Sequence, residues 1–444
     1  MPKTTAPSPS QVDQWKKNKP LRVVVLGGGF GGLNCCLDFQ HEDCEVVLVD
    51  RQNHHLFQPL LYQVATAGLS APDIAQPLRS ILSKRKDVRV IMGEVDKIDL
   101  DDKSLQVDGR RLDYDFLVMA LGARTSFFGK EEWREHCLGL KSLADSRRIR
   151  SVIITALEHA ENENDPEERK RLMTMLVVGG GPTGVEMAGA LAELTRRVMK
   201  SDFRNLDPRE CQILLIEATD RLLRMYSDDQ SEYAAEKLRT MGVTVRTNSP
   251  VSDVGEGWME VAGEKIHAAT MIWAAGVESV QVIRSLAVPM DRAGRIEVEP
   301  DLSVPGFPDV FAIGDIANIL NEDGTPVPGI APAAMQMGKH VARIIDSDCD
   351  AGGVRSSGER SKFSYFDKGQ MATIGRSAAV AESMGFRFNG LLAWMGWLVI
   401  HLAFLVGMRN RLSVFISWLW AYVSFKNGAR VIATDERGES INEG

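Results

Sequence analysis

The sequence predicts an α/β fold, with two successive parallel-sheet units and then a helical tail of different make-up. Three observations predict it. A β-branched run, a glycine-rich turn and an apolar helix follow one another from Leu21 through Gly27-Gly28-Gly29-Phe30-Gly31-Gly32. The same order returns from Met175 through Gly179-Gly180-Gly181-Pro182-Thr183-Gly184. Finally, Ser383 to Thr434 contains no Asp or Glu, yet holds Trp394, Trp397, Trp418 and Trp420 together with Arg387, Arg409, Arg411, Lys426 and Arg430.

At 444 residues the chain is long enough for two or three domains. With 44% hydrophobic and 25% charged residues it has an ordinary globular composition. A net charge of −8 argues against general nucleic-acid binding. The six cysteines form no C-x-x-C pair and no zinc-like spacing, so they read as reduced thiols facing a cytosol, and no metal is expected. Residues 1–20 are polar and Pro/Ser/Lys-rich, a disordered lead-in rather than a secretory signal.

Along the chain, 21–145 opens as strand, glycine turn, helix, strand, and later reaches the apolar strand Tyr114–Ala120, which stops at Leu121-Gly122. Residues 146–170 read as helix and then as a charged surface linker. The second unit, 146–285, repeats the pattern and ends in Thr270–Gly276. A return segment, 286–350, carries a short strand that stops at Gly314-Asp315. A Gly/Ser/Arg stretch separates it from the tail, 360–444.

Both glycine turns have the G-x-G-x-x-G form in its required context, after a strand and before a helix. The first glycine permits the tight turn, the second admits a pyrophosphate, and the third lets helix and strand pack closely. These roles fall to Gly27, Gly29 and Gly32, and again to Gly179, Gly181 and Gly184. Phosphate would rest on the free N–H groups of each helix start. Asp50 ends the next strand 18 residues after Gly32, where a carboxylate can grip a ribose diol. Glu217 follows Gly184 by 33 residues, the excess being absorbed by a polar insertion, 196–211. A 2′-phosphate would meet like charge at Glu217, which favours NADH over NADPH. The expected fold is therefore two Rossmann-like dinucleotide-binding domains plus a C-terminal amphipathic helical membrane-attachment region, arranged to pass electrons between two nucleotides.

With these pieces in place, residues 21 to 430 resemble the type II, non-pumping NADH:quinone oxidoreductases. The resemblance implies that 21–145 and 286–350 bind FAD, that 146–285 binds NADH, and that a quinone is the second substrate. Asp315 resembles the late flavin motif, whose Asp holds the ribityl chain. Ala120, Gly122 and Gly276 resemble strand ends that let cofactors pass near the backbone. His54–Thr66 resembles the stretch after the flavin ribose site, and Glu186 the family's residue beside the nicotinamide. Lys368, in Phe363–Ala372, resembles the lysine near flavin and quinone. Ala333 and Gln336, in Ala331–Gln336, correspond to the quinone motif, which departs from its pattern at Pro332. Cys35 and Cys36 are adjacent, which does not suit disulfide reductase chemistry. A sulfide:quinone oxidoreductase using Cys137 and Cys349 is the nearer rival, and an NADH-sensing flavoprotein acting as a binding module the other.

Gly390–Gly407 spans 18 residues with only His401 ionisable, and Leu412–Phe425 spans 14. Roughly 20 apolar residues are needed to cross a bilayer. One face of the first run holds Gly390, Trp394, Trp397 and His401, and one face of the second holds Ser413, Ser417, Trp420 and Ser424. Aliphatic residues fill the remainder. Such helices lie in the interface rather than across it, and their cations are drawn to an anionic cytoplasmic leaflet. The expected location is peripheral and monotopic, on the cytoplasmic face of the inner (plasma) membrane, with a homodimer through the tail left open.

Overall fold

The computed structural model describes residues 20–196, 202–321, 323–424 and 432. The expected lead-in apart from Pro20, residues 197–201 near the start of the polar insertion, and Lys426 and Arg430 lie outside the described residues. In chain order the main elements are β1 (Leu21–Leu26), α1 (Phe30–Asp38), β2 (Cys44–Asp50), α2 (Leu61–Ala65), β3 (Val88–Met92), β4 (Phe116–Met119) and α3 (Leu143–Asn162). They continue as β5 (Thr174–Val178), α4 (Pro182–Leu194), β6 (Gln212–Ile216), β7 (Val243–Arg246), β8 (Thr270–Trp273), β9 (Phe307–Ala312) and α5 (Ala331–Asp350). The last are β10 (Gln370–Thr373), β11 (Ala379–Ser383), β12 (Phe386–Asn389), α6 (Gly390–Phe404) and α7 (Met408–Ser424). Two compact units result: Met1–His55, Gln76–Arg124 and Val277–Asp367 form one, and Leu56–Ala75, Thr125–Gly276 and Lys368–Gly444 the other.

The first unit is built on a six-stranded sheet in the order Ser303–Val304, β9, β4, β1, β2, β3, parallel except at its first strand. In β1, Val23, Val24, Val25 and Leu26 are all fully buried, which an apolar run without alternation requires of a sheet covered on both faces. Val23 and Val25 pack with Leu33 of α1 and with Met337, Val341 and Ile345 of α5. Val24 and Leu26 pack with Leu105, Tyr114 and Ile296 on the opposite side. Where α5 crosses α1, a Cβ on Gly338 would stand 2.1 Å from the Gly31 carbonyl oxygen. A buried ionic group closes the edge of this unit: Arg360 meets Asp301 at 3.0 Å and also Asp348, which Arg355 reaches at 2.7 Å.

The second unit repeats the scheme with four parallel strands in the order β7, β6, β5, β8. Its core is aromatic on one face, with Trp273 packed among Phe127 and Trp133. The run expected to be a surface linker is helical instead. Ser142 and Asp145 cap the start of α3 reciprocally, and after a short break Asp165 caps a further helix, Pro166–Leu172. Caps and the Glu168–Arg171 pair one turn apart let a charged sequence stay helical.

The antiparallel sheet β10–β11–β12 of this unit leads into α6 and α7. Ala393 and Trp397 of α6 are buried, while Leu391, Leu392, Met395 and Val399 are more than half exposed. On α7 the inward residues are Asn410, Val414 and Trp418, and Met408, Leu412, Ile416, Leu419 and Trp420 face out. Ser413 of the expected stripe lies on this side too, donating to Asp73 Oδ1 at 2.6 Å, whereas Trp420 does not. Hydrogen bonds from Asn410 to Ala75 O (3.1 Å) and from Trp418 Nε1 to Gln63 Oε1 (2.8 Å) set the rotation of the helix. Among the described residues no helix is long and apolar enough to cross a membrane.

Candidate active site

In the first unit the turn after β1 is shaped around a missing side chain. Gly27 has φ +101° and lies against the Ala120 carbonyl, and a Cβ on Gly32 would stand 1.9 Å from the Gly27 carbonyl oxygen. The space above Gly29 is open, with no atom within 4 Å of where a Cβ would be. Asp50, at the end of β2, accepts the Gly28 N–H at 2.6 Å and the Gln52 N–H at 2.7 Å. Burial nevertheless raises its pKa, outweighing these donors. His55 donates from Nδ1 to the Gly28 carbonyl at 2.9 Å, and its buried Nε2 has no partner among the described residues. Burial lowers the pKa of this imidazole and keeps it neutral, so Nε2 is an acceptor waiting for a donor. Gly122 (φ +67°) ends β4 with open space beside it, and the Asp315 carboxylate lies beside Gly329. An open turn, helix N–H groups and an orphaned acceptor fit a dinucleotide with hydroxyls, and FAD meets that description.

The second unit carries the same device. Gly179 has φ +112°, a Cβ on Gly184 would stand 1.8 Å from the Gly179 carbonyl oxygen, and Gly181 faces open space. Glu217, after β6, accepts the Gly180 N–H at 2.6 Å through one oxygen and the Thr219 N–H and hydroxyl through the other. In both turns the acid therefore fixes the middle of the loop. A carboxylate has about four lone-pair directions, so capacity is left for a ribose. Gly276 (φ +73°) lies under Phe128. The residues present fit NADH.

Glu186 lies one turn into α4, where it accepts the Thr373 N–H at 3.3 Å. Burial pushes its carboxyl up to about 8, the Thr373 N–H and the indole of Trp397 opposing the shift. A cavity of about 100 Å³ opens beside them, lined by Tyr62, Gln63, Thr373, Arg376, Trp397 and Trp418 among others. Tyr62 OH meets Thr373 Oγ1 at 3.1 Å and accepts from Gln63 Nε2 at 2.9 Å. Tyr62 is thus more than packing. Gln63 is its neighbour on α2, but Thr373 lies 311 positions away, and no spacing in the sequence joins it to Tyr62.

Lys368 is exposed, its Nζ 5.9 Å from the centre of the Phe404 ring. Gln336, on α5, donates from Nε2 to Phe366 O and accepts from Phe366 N, both at 3.0 Å, so both ends of its amide are engaged. Ala333 is buried in the core between α5 and α1. Cys137 is buried against Trp133, its thiol pushed up to about 12 by burial, and Cys349 faces Cys44.

Residues 21–338 match the family model described as pyridine nucleotide-disulphide oxidoreductase, and 368–424 match the NDH2 C-terminal domain. A type II NADH:quinone oxidoreductase of Mycobacterium tuberculosis, Ndh, is 40% identical over 97% of this chain and 94% of its own length. The chain belongs to the type II NADH:quinone oxidoreductases. An internal alternative NAD(P)H-ubiquinone oxidoreductase of Arabidopsis thaliana is 30% identical over 94% of this chain and 89% of its own. The solved NDH2 of Plasmodium falciparum in complex with NADH superposes with a TM-score of 0.84 at 20% identity, covering 94% of this chain and all of that one. A sulfide:quinone oxidoreductase of Aquifex aeolicus superposes at 0.70 with 16% identity over 90% of this chain and 95% of that one, a likeness of fold alone. Membership of the type II family thus rests on sequence along nearly the whole chain.

Proposed function

We propose that the first unit holds FAD and the second NADH, and that the chain passes the electrons of NADH to a membrane quinone. The chain is an FAD-dependent NADH:quinone oxidoreductase of the non-pumping kind. One observation carries this: the same turn occurs twice, each with its central N–H bonded at 2.6 Å to an acid at the end of the next strand. Bound FAD supplies two-electron chemistry, accepting hydride equivalents from NADH and yielding electrons to quinone. The balance is NADH, a proton and a quinone giving NAD⁺ and the quinol.

The residues' part is to bind and to place. Gly27, Gly29, Gly32, Asp50, Ala120, Gly122 and Asp315 hold FAD, and Gly179, Gly181, Gly184, Glu217 and Gly276 hold NADH. Glu186, neutral near pH 7, orients the nicotinamide carboxamide, donating and accepting without adding charge. Lys368 provides positive charge, or a proton, where the quinone is reduced. Gln336 acts on the quinone pocket by fixing the Phe366 backbone, and Ala333 by setting how α5 packs. The exposed aliphatic residues of α6 and α7 enter the cytoplasmic leaflet of the inner membrane, with Arg387, Arg409 and Arg411 toward anionic headgroups. A second copy meeting through the tail would compete for the same face.

Anaerobic stopped-flow spectroscopy tests the reading. NADH bleaches the flavin and a short-chain quinone restores its colour. A flavin that sulfide bleaches and NADH does not would sink it.

A further inference from the structure

The first unit gathers three metal-ligating side chains from distant parts of the sequence. His41 lies in the turn after α1, Cys44 opens β2, and Cys349 is in the last turn of α5, thirteen residues, about 20 Å of helix, beyond Gln336. Cys44 Sγ is 3.4 Å from Cys349 Sγ and 3.6 Å from His41 Nδ1, and all three ligand atoms lie within 4.8 Å of one another. Tetrahedral zinc, with Zn–S about 2.3 Å and Zn–N about 2.0–2.1 Å, sets S···S near ~3.8 Å and S···N near ~3.6 Å. The two edges that meet at Cys44 Sγ match these spacings to within a few tenths of an ångström, and the third, from Cys349 Sγ to His41, has at most 4.8 Å to close from.

The surroundings suit a cation. The other ring nitrogen of His41, Nε2, stands 3.6 Å from the Asp350 carboxylate, the outer partner that orients a metal-bound imidazole. The Asp43 N–H donates to Nδ1 at 3.3 Å, which keeps the lone pair there and the proton on Nε2, and an ion would replace this long bond. The loop is held independently, since Gln40 N and His41 N donate to Asp346 at 3.0–3.1 Å. His41 and Cys349 are half-buried and Asp350 is exposed, which leaves a path for entry.

We propose that His41, Cys44 and Cys349 bind one thiophilic divalent cation of the zinc type, with Asp350 as outer carboxylate and water as fourth ligand. The ion staples the start of β2 to the C-terminal end of α5. Binding exchanges two thiol protons for the metal: Zn²⁺ and two thiols give the dithiolate complex and two released protons. No ligand spacing in the sequence announces this site, because the third ligand lies 305 positions beyond the second.

The test uses the full-length, FAD-loaded protein, reduced and freed of metal, titrated with CoCl₂ and then ZnCl₂. One equivalent of Co²⁺ should produce the thiolate-to-cobalt band and the strong visible bands of a tetrahedral site, and Zn²⁺ should erase them. Cys349→Ser and His41→Ala should lose the thiolate band while keeping FAD, and Cys211→Ser should not. Asp350→Asn should keep the spectrum with affinity lowered about 10–100-fold. Absence of the band in the reduced parent protein, or its survival in Cys349→Ser, overturns the site. So does isolation of the parent protein with Cys44 and Cys349 already joined as a disulfide that binds no cobalt after reduction.

Discussion

Replacing Glu186 by glutamine removes a proton-dependent charge while keeping an amide that can donate and accept. Burial puts the carboxyl pKa at about 8. At pH 7 roughly nine-tenths of it is therefore neutral, and at pH 9 roughly one-tenth. If the neutral form orients the nicotinamide, the apparent NADH dissociation constant of the parent protein rises about tenfold between those pH values, some 1.4 kcal/mol. Glu186→Gln should show a flat profile across the same range. The assay is the dependence of anaerobic flavin bleaching on NADH concentration at each pH. Stability gives a second readout. Because the folded pKa lies above the ordinary 4.5, stability present at low pH is lost as pH rises through 8. The parent should lose up to about 1.4 kcal/mol per pH unit relative to Glu186→Gln between the ordinary 4.5 and about 8, the loss levelling off above that. A flat profile for the parent, or parallel profiles for the two proteins, would refute the reasoning.

Gly32→Ala places a methyl 1.9 Å from a carbonyl and should yield protein without flavin, whereas Gly29→Ala meets open space and should fold normally while holding FAD more weakly, both read by flavin absorbance after gel filtration. Lys368→Met should slow quinone-driven reoxidation more than NADH-driven bleaching, and equal slowing of both half-reactions would remove Lys368 from its role. Glu217→Gln should raise the kcat/KM for NADPH relative to NADH by lifting like-charge repulsion, and an unchanged ratio would free Glu217 of that assignment. Arg360→Met leaves Asp301 buried without its cation and Asp348 with Arg355 alone, and should cost about 3–5 kcal/mol, seen as a lowered Tm. Burial raises the Asp301 pKa, but bonds from Ser303, Ser357 and Arg360 hold it below the usual range. That contribution is present above the ordinary carboxylate pKa and fades as pH falls through the lowered one.

The parallel sheets and both turns were legible because their determinants are local: Val23–Leu26 before Gly27, and Met175–Val178 before Gly179. Asp50 and Glu217 were legible for the same reason, each ending the next strand. The cavity beside Glu186 was not, since Tyr62 with Gln63, Thr373 and Trp418 converge from three segments. The phase of α7 depended on partners at Gln63 and Ala75, which helical periodicity does not contain. The engagement of Gln336 with Phe366 is likewise tertiary. The helical nature of 166–172 was concealed by charge density, although Asp165-Pro166 was there to be read as a cap.

Equilibrium dialysis of the FAD-loaded chain against NAD⁺, with and without Gly184→Ala, tests the central claim most directly. Two separate seats predict one FAD and one NAD⁺ per parent chain, and one FAD with almost no NAD⁺ in the variant, whose new methyl falls 1.8 Å from the Gly179 oxygen. NAD⁺ that displaces the flavin, or that binds the variant as tightly as the parent, would contradict it.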